Sequence, residues 1–241
     1  MQALSPEQIL ALWETSRPQH PLDRPLTILA AATPGESRAA LADLPIGERD
    51  ARLLELRALV FGPRAEGFAE CPHCAERVEF PLDLAALAPS PGGRASASPS
   101  DAPAEHTMET NGVSLRFRMP TSRDLAAAAT AIEKADSLRL LVQRCSAQED
   151  LPDETIAALS RAMLEADPQA EITLRLTCPA CGREWDLLFD VAEFFWREIS
   201  AHAQRLLREI DTLARAYGWA EREILSLPAQ RRQTYLEMLA A

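Results

Sequence analysis

Two CxxC turns, far apart in the chain, constrain its fold more than any other feature of the sequence. The first is CPHC at Cys71 to Cys74 and the second is CPAC at Cys178 to Cys181, each with proline at its second position. Together they supply four thiolates, the ligand number of a tetrahedral structural zinc site. Two intervening residues let both sulfurs of one tight turn face a single ion. The sequence therefore predicts a structural zinc bound by these four cysteines.

The distance between the two turns differs from that of a compact zinc ribbon. A compact ribbon has about 15–20 residues between its cysteine pairs, whereas residues 75–177 separate these two turns. Hydrophobic and polar residues alternate after each turn, at Val78 and Phe80 and again at Trp185 and Leu187, which is typical of short hairpin strands. We therefore expect a split zinc ribbon in which the residues between the turns form an insertion.

The chemical setting of the cysteines weighs against other roles. Two disulfides are disfavoured because the N-terminus lacks a secretory signal and cytosolic thiols stay reduced. A redox CxxC would need a strand and helix pattern like that of thioredoxin, whereas both pairs lie in predicted hairpins. A vestigial site without metal remains open. Cys145 is expected to be a small buried hydrophobe, and His73 is not expected to be a ligand because four cysteines complete the set.

Charge and motif content narrow the possible functions. The chain has 25 Lys and Arg against 36 Asp and Glu, a net charge of −11, which is the wrong sign for tracking a phosphate backbone. Neither a glycine-rich phosphate loop nor a catalytic triad pattern is evident. No stretch approaches the roughly 18 apolar residues of a membrane span. We therefore expect a cytoplasmic, non-enzymatic protein without a small-molecule substrate or a membrane partner, and nucleic acid is disfavoured as a partner.

The hydrophobic pattern predicts an α+β protein with a mainly helical body. Helical spacing is clearest over Ile46–Phe61 and over Val191–Tyr217. Closely spaced prolines leave residues 22–45 unassigned, and residues 26–32 fit either a strand or a helical turn. The chain divides into an N-terminal helix and irregular segment (1–45), a helix with the first half of the ribbon (46–88), a flexible linker (89–110), a strand, helices and the second half of the ribbon (111–190), and a C-terminal helical extension (191–241).

The linker and the elements after it are predicted from composition and alternation. Residues 89–109 are dominated by Pro, Ser, Gly and Ala, with Met108 the only large hydrophobe, so they offer little apolar surface to bury. A half-buried strand is expected to emerge directly from the linker at residues 113–119, where apolar and polar residues alternate. Helices are expected at residues 122–132, 135–145 and 153–166.

Three stretches, taken in order, resemble a known family. The first stretch is the helix from Ile46 to Gly62, which leads into CPHC and contains Gly47, Glu48, Arg49, Asp50 and Arg57. The second runs from Phe117 to Thr121 and continues to Asp124 and Leu125. The third begins at CPAC and includes Trp185, Phe194, Phe195, Trp196 and Ile199, followed by a tail that consists of Tyr217, Gly218, Trp219, Glu223, Ile224, Leu225, Leu227, Arg231, Arg232, Tyr235, Leu236 and Glu237. This order is similar to that of T4-like baseplate or baseplate-hub assembly proteins, which are encoded in tail gene clusters of contractile phages and phage-like injection systems.

The resemblance implies a noncatalytic part in assembling a baseplate or hub, as a built-in subunit or as a transient chaperone. The implied partners are baseplate, hub or spike proteins of a phage-tail-like particle, and the protein is expected in the bacterial cytoplasm or incorporated in the assembled particle. The alternative is a zinc-ribbon nucleic-acid-binding or regulatory protein, which would need a basic face. Arg222, Arg231 and Arg232 are the only candidates for such a face.

The C-terminal tail is the candidate partner surface. Aromatic and apolar side chains cluster where the long helix meets a short one, a composition typical of docking sites. The alternative is that Gly218 turns the chain and Trp219 packs the short helix back onto the long one. The candidate partner-binding residues are Tyr217, Trp219, Ile224, Leu225, Arg231, Arg232 and Tyr235.

Overall fold

A computed structural model describes residues 1–87, 105–110 and 112–240 and shows an α+β chain with small antiparallel hairpins. The helices are α1 (Pro6–Ser16), α2 (Arg24–Ala32), α3 (Arg38–Ala42), α4 (Ile46–Phe61), α5 (Leu84–Leu87), α6 (Ser122–Ala128), α7 (Lys134–Ser146), α8 (Asp153–Ala166), α9 (Val191–Tyr217), α10 (Glu221–Ser226) and α11 (Ala229–Ala240), with a 3-10 turn at Pro168–Ala170. The strands are β1 (Arg64–Glu70), β2 (Arg77–Asp83), β3 (Glu105–Thr110), β4 (Val113–Arg118), β5 (Ile172–Thr177) and β6 (Glu184–Phe189). They pair in sequence as three separate hairpins, β1–β2, β3–β4 and β5–β6.

The larger hydrophobic cluster joins the N-terminal helices to α9. Helix α9 carries an apolar stripe that includes the fully buried Phe195, Ile199 and Leu213, and α1, α2 and α4 all pack against this helix. The stripe recurs at helical spacing, as the sequence indicated. Gly218 ends α9 with a left-handed φ of 71°, a conformation that favours glycine.

Residues 1–45 are more regular than the sequence analysis expected, because α2 and α3 occupy the segment that was called irregular. Helix α2 begins with Pro25 in its first turn, and Ile28, Leu29 and Ala32 are completely buried. A short helix with so wide a buried surface shows little amphipathic periodicity, so the pattern of apolar residues did not distinguish it from a strand.

A smaller hydrophobic cluster lies within the stretch between the two cysteine turns. It contains Leu115 and Phe117 of β4, Val142 and Cys145 of α7, and side chains of α8. Cys145 is only 4% exposed, which confirms that it is a buried hydrophobe. Helix α6 ends at Ala128 rather than at residue 132, and Ile132, which was expected to lie in this helix, is 97% exposed.

The predicted linker is wrong at its C-terminal end. Residues 105–110 form β3, which pairs with β4, and His106 stacks on Phe117 with ring centroids 5.5 Å apart. The strand is polar, so its composition resembled a linker, but pairing with β4 gives it cross-strand backbone hydrogen bonds. Residues 89–104 of the predicted linker lie outside the described part of the chain.

The N-terminus of α4 is tied to the insertion by backbone contacts. Pro45 and Thr121 form an isolated β-bridge, and the amide of Ile46 donates to the carbonyl of Pro120 over 2.9 Å. The amide of Gly47 donates to Asp167 Oδ2 over 2.9 Å. A Cβ atom on Gly47 would lie 1.8 Å from Asp167 Oδ1, so this close approach requires glycine. Asp167 thereby caps α4 from a position far along the chain.

We expect Gly47→Ala to lower the free energy of unfolding by roughly 1–3 kcal/mol, because the added methyl group collides with the Asp167 carboxylate and displaces the cap. The measurement is urea denaturation of Gly47→Ala, Asp167→Ala and the double variant. Removing the carboxylate removes the collision, so Gly47→Ala should cost little in the Asp167→Ala background. Equal costs in the two backgrounds would contradict this explanation of the glycine.

A charged cluster joins β4, α6 and α7 around one buried carboxylate. Asp124 accepts from Arg118 Nη1 at 2.6 Å and from Arg144 Nε at 3.0 Å, and it also accepts from the amide and hydroxyl of Thr121. Burial alone would raise the pKa of Asp124, but the hydrogen bonds from Arg118 and Thr121 outweigh it and hold the pKa well below its usual range. The carboxylate is therefore charged in the folded protein at neutral pH.

We expect Asp124→Asn to lower the free energy of unfolding at pH 7 by roughly 1.5–3 kcal/mol, since both arginines lose a charged acceptor. Because the folded-state pKa is depressed, the contribution of the carboxylate is complete above the unfolded value of about 3.9 and is lost as the pH falls toward the folded value. The difference between wild type and variant should thus be smaller at about pH 3 than at pH 7 in urea denaturation.

The matched control is Asp153→Asn, which removes an exposed carboxylate that pairs with Arg139 of α7. An exposed ion pair of this kind contributes at most about 1 kcal/mol. A pH-independent difference for Asp124→Asn, or a cost no larger than that of the control, would contradict the role assigned to Asp124.

Candidate metal centre

The two CxxC turns lie at the tips of matching antiparallel hairpins. In the first hairpin the last strand pair is Glu70 with Arg77, and in the second it is Thr177 with Glu184. Each pair encloses six residues that begin with a cysteine, CPHCAE in one loop and CPACGR in the other. The same loop length on the same strand register gives both turns the same starting geometry, as the repeated sequence pattern indicated.

The backbone of the two turns also matches residue by residue. The amide of Ala75 donates to the carbonyl of Cys71, and the amide of Gly182 donates to the carbonyl of Cys178, both over 2.9 Å. Ala75 and Gly182 each follow the second cysteine and have left-handed φ values of 59° and 71°. Glycine adopts this conformation without strain and alanine does not. The turns are therefore two copies of one structure, with the less suitable residue in the first.

The four sulfurs converge on one small volume. All of them lie within 4.8 Å of one another, with Cys71 and Cys181 Sγ 3.8 Å apart and Cys74 and Cys178 Sγ 3.6 Å apart. A zinc–sulfur distance of about 2.3 Å in a tetrahedron places the sulfurs about 3.8 Å apart. These separations are far longer than the roughly 2.05 Å of a disulfide. The cluster therefore fits a single four-coordinate metal ion, and all five cysteines of the chain are free thiols.

One side of the cluster is apolar and the other faces solvent. Cys71 and Cys178 are each 1% exposed and pack with Val78 and Trp185, whereas Cys74 and Cys181 are exposed. His73 points away from the set, since its Nδ1 atom lies 3.4 Å from Arg183 Nη1 across the two turns. The group of potential ligands found among the described residues consists of the four cysteines alone.

Backbone amides and neighbouring thiols both shift the pKa values of the clustered cysteines. The backbone amide of Cys181, together with that of Ala180, lowers the pKa of Cys178 to about 7. The amide of Glu76 lowers the pKa of Cys74, but desolvation and hydrogen bonding with the other thiols outweigh it and raise that pKa to about 12. Four neighbouring thiols cannot all ionise easily without a cation, and a bound divalent ion would displace their protons.

A buried ion pair that the sequence analysis overlooked holds the first hairpin against α9. Arg57 Nε and Nη2 donate to the two carboxylate oxygens of Glu198 at 2.7 and 2.5 Å, and Nη1 donates to the carbonyls of Gly62 and Arg64. The sequence feature that could have indicated this ion pair is the position of Arg57 on the apolar stripe of α4, four residues after Leu53. Its partner lies too far along the chain for any local pattern to identify.

The structure divides the predicted tail residues into an inner and an outer group. Ile224 is completely buried and Arg232 is 2% exposed, with Arg232 Nε donating to Glu209 Oε2 at 3.0 Å. Their assignment to a partner surface is therefore corrected, because both make their contacts within the chain. The outer group comprises the exposed Tyr217 and Arg231 and the half-buried Trp219, Leu225 and Tyr235.

The aromatic residues of the outer group form a small cluster of their own. Tyr217 stacks on Trp219 with centroids 4.7 Å apart, and the edge of Tyr235 contacts both rings at 5.5 and 4.9 Å. These ring contacts fasten α11 and the turn at Gly218 to the end of α9 within the chain. They leave part of Tyr217 accessible at the surface.

The described part of the chain contains no helix long and apolar enough to cross a membrane. Comparisons with curated proteins and with solved structures find no match. The family model described as T4 bacteriophage base plate protein matches residues 25–196, which is well over half of the 241 residues and includes both CxxC turns. This match confirms the resemblance for the motifs up to Trp196 and does not include the tail from Tyr217 to Glu237; the chain belongs to the T4 bacteriophage base plate protein family.

Proposed function

We propose that the protein is a noncatalytic structural or assembly factor of the baseplate or hub of a contractile phage-tail-like particle, stabilised by structural zinc. The observation that carries the proposal is the meeting of four cysteine sulfurs from opposite halves of the family-matched region at a site of single-ion size. A four-cysteine set leaves no open coordination position for a substrate or an activated water. Such a site supports cross-linking of the chain rather than chemistry.

Zinc is the metal that the donor set favours. Four thiolates in a tetrahedron suit zinc or iron, and zinc is the usual ion of a structural site made of four cysteines. Cys71 and Cys74 would hold it from the first hairpin, and Cys178 and Cys181 from the second. Zinc binding to such peptides provides on the order of 10 kcal/mol, so the ion would supply a large share of the stability of this region.

We expect the purified protein to contain one zinc ion per chain, because the ligand set is complete. Cys71→Ser with Cys178→Ser should abolish zinc binding and lower the melting temperature, since one ligand is lost from each hairpin. The measurements are elemental analysis and thermal unfolding with and without a chelator. Cys145→Ala is the matched control and should retain the zinc, because this thiol belongs to the smaller hydrophobic cluster. Iron in place of zinc, or a metal-free wild type with unchanged melting, would contradict the proposal.

The outer group of tail residues is the surface that we propose contacts baseplate, hub or spike proteins. Tyr217 and Arg231 are exposed, and they lie in residues 197–241, which the family match does not include. Exposed tyrosine and arginine are residue types that often dominate the binding energy of protein interfaces. Burial of Arg232 against Glu209 removes one arginine from the basic face that a nucleic-acid-binding role would need.

We expect Arg231→Ala to weaken copurification with the particle proteins without changing the fold, because this side chain is exposed and lies outside the aromatic cluster of Tyr217, Trp219 and Tyr235. The measurement is quantitative mass spectrometry of complexes captured through the tagged protein while the host produces the particle. Arg116→Ala is the control, since it removes an exposed arginine from β4. Capture of nucleic acid or transcription proteins without tail components would contradict the assembly function and favour the regulatory alternative.

A further inference from the structure

A groove with an unusual lining lies between α1 and α9, beside the first residue of α2. Its volume is about 390 Å³, and Trp13, Arg17, Arg24, Trp196, Ser200 and Gln204 line it. An adjoining cavity of about 300 Å³ shares Arg24 and Trp196 with the groove. Among the described residues that line the groove there are two arginines, two tryptophans and two neutral polar side chains, and no carboxylate.

Both arginines are held against aromatic rings and lack an acidic partner. The guanidinium carbon of Arg24 lies 4.7 Å from the centroid of Trp196, and that of Arg17 lies 5.6 Å from the centroid of Trp13. Arg24 Nε donates to the carbonyl of Ser16 at 3.4 Å, and neither arginine forms an ion pair with any described residue. In a chain with a net charge of −11, the groove itself is lined by two arginines and by no carboxylate.

This arrangement has the chemistry of a carboxylate-binding site. A guanidinium packed face-on against an indole keeps its N–H edge available, and that edge matches the two oxygens of a carboxylate. The half-buried Trp13 offers apolar surface beside the charges, and Ser200 and Gln204, one turn apart on α9, can hydrogen-bond a peptide backbone. We propose that the groove binds an acidic peptide segment of another baseplate protein, an inference that rests on the proposed function.

The charges around the groove favour a short acidic peptide over a nucleic acid. The adjoining cavity carries Asp50, Glu171, Asp190 and Glu193 in its lining. A phosphate backbone extending from the groove into this cavity would meet these carboxylates, in addition to the overall negative charge of the protein. A peptide with one or two carboxylates engages the two arginines and does not extend a continuous negative charge beyond them.

The test uses the full-length protein and an array of overlapping peptides that cover the other proteins of the particle's baseplate. Each acidic peptide is paired with a version in which Asp and Glu are replaced by Asn and Gln. We expect acidic peptides to bind in preference to their amide versions, and Arg17→Gln with Arg24→Gln to weaken that binding about tenfold or more because charge-assisted contacts are lost. Arg161→Gln, an exposed arginine on α8, is the matched control and should bind like wild type.

Arg17→Gln alone is a second variant that removes one charge from the groove without disturbing the contact between Arg24 and Trp196, because Arg17 is exposed. The melting temperature of each variant verifies that it is folded. Equal binding of acidic and amide peptides, or binding that the double variant retains, would overturn the inference, as would tighter binding of a single-stranded oligonucleotide in the same groove.

Incorporation into the particle separates the two proposals. If wild type and the folded double variant assemble equally, the groove inference fails while the proposed function stands, whereas absence of wild type from particles and assembly intermediates refutes the function itself.

Discussion

Four thiols from two distant turns lie together where the two cysteine hairpins meet. The first hairpin follows α4 and the second leads into α9, and these two helices are joined by the ion pair between the buried Arg57 and the partly buried Glu198. The thiol cluster and the ion pair therefore close the same structural unit at two places. A metal ion at the cluster would act as a cross-link between residues 71 and 181. Such a cross-link stabilises the folded state most when the connecting chain is long, because closing a long loop costs more entropy.

The stretch between the hairpins is anchored to this unit and also has a hydrophobic cluster of its own. It returns to the N-terminus of α4 through the bridge between Pro45 and Thr121 and through the Asp167 carboxylate, which requires glycine at position 47. Helix α4 is thus fixed at its start by the insertion and near its end by α9. The motif residues of α4 that carry the family resemblance include Gly47 and Arg57, whose contacts are structural.

The sequence was most informative where local chemistry determines structure. The paired CPxC turns indicated matching hairpins, and the apolar stripes indicated α4 and α9, because the necessary residues are close together in the chain. Helix α2 and strand β3 were missed because a short, widely buried helix and a polar paired strand have weak local patterns. Arg232 was assigned to the surface because its partner, Glu209, is identified only by tertiary packing. The convergence of the two cysteine turns was inferred from ligand number rather than from any contact signal.

The most direct test of the account is zinc K-edge X-ray absorption spectroscopy of the purified full-length protein. The separations of the four sulfurs lead us to expect one zinc with four sulfur neighbours at about 2.3 Å and no nitrogen or oxygen ligand. This result would show that the two turns share one ion and that its coordination is closed. Zinc bound by fewer than four sulfurs, with oxygen or nitrogen completing the shell, would contradict both the shared site and its purely structural role.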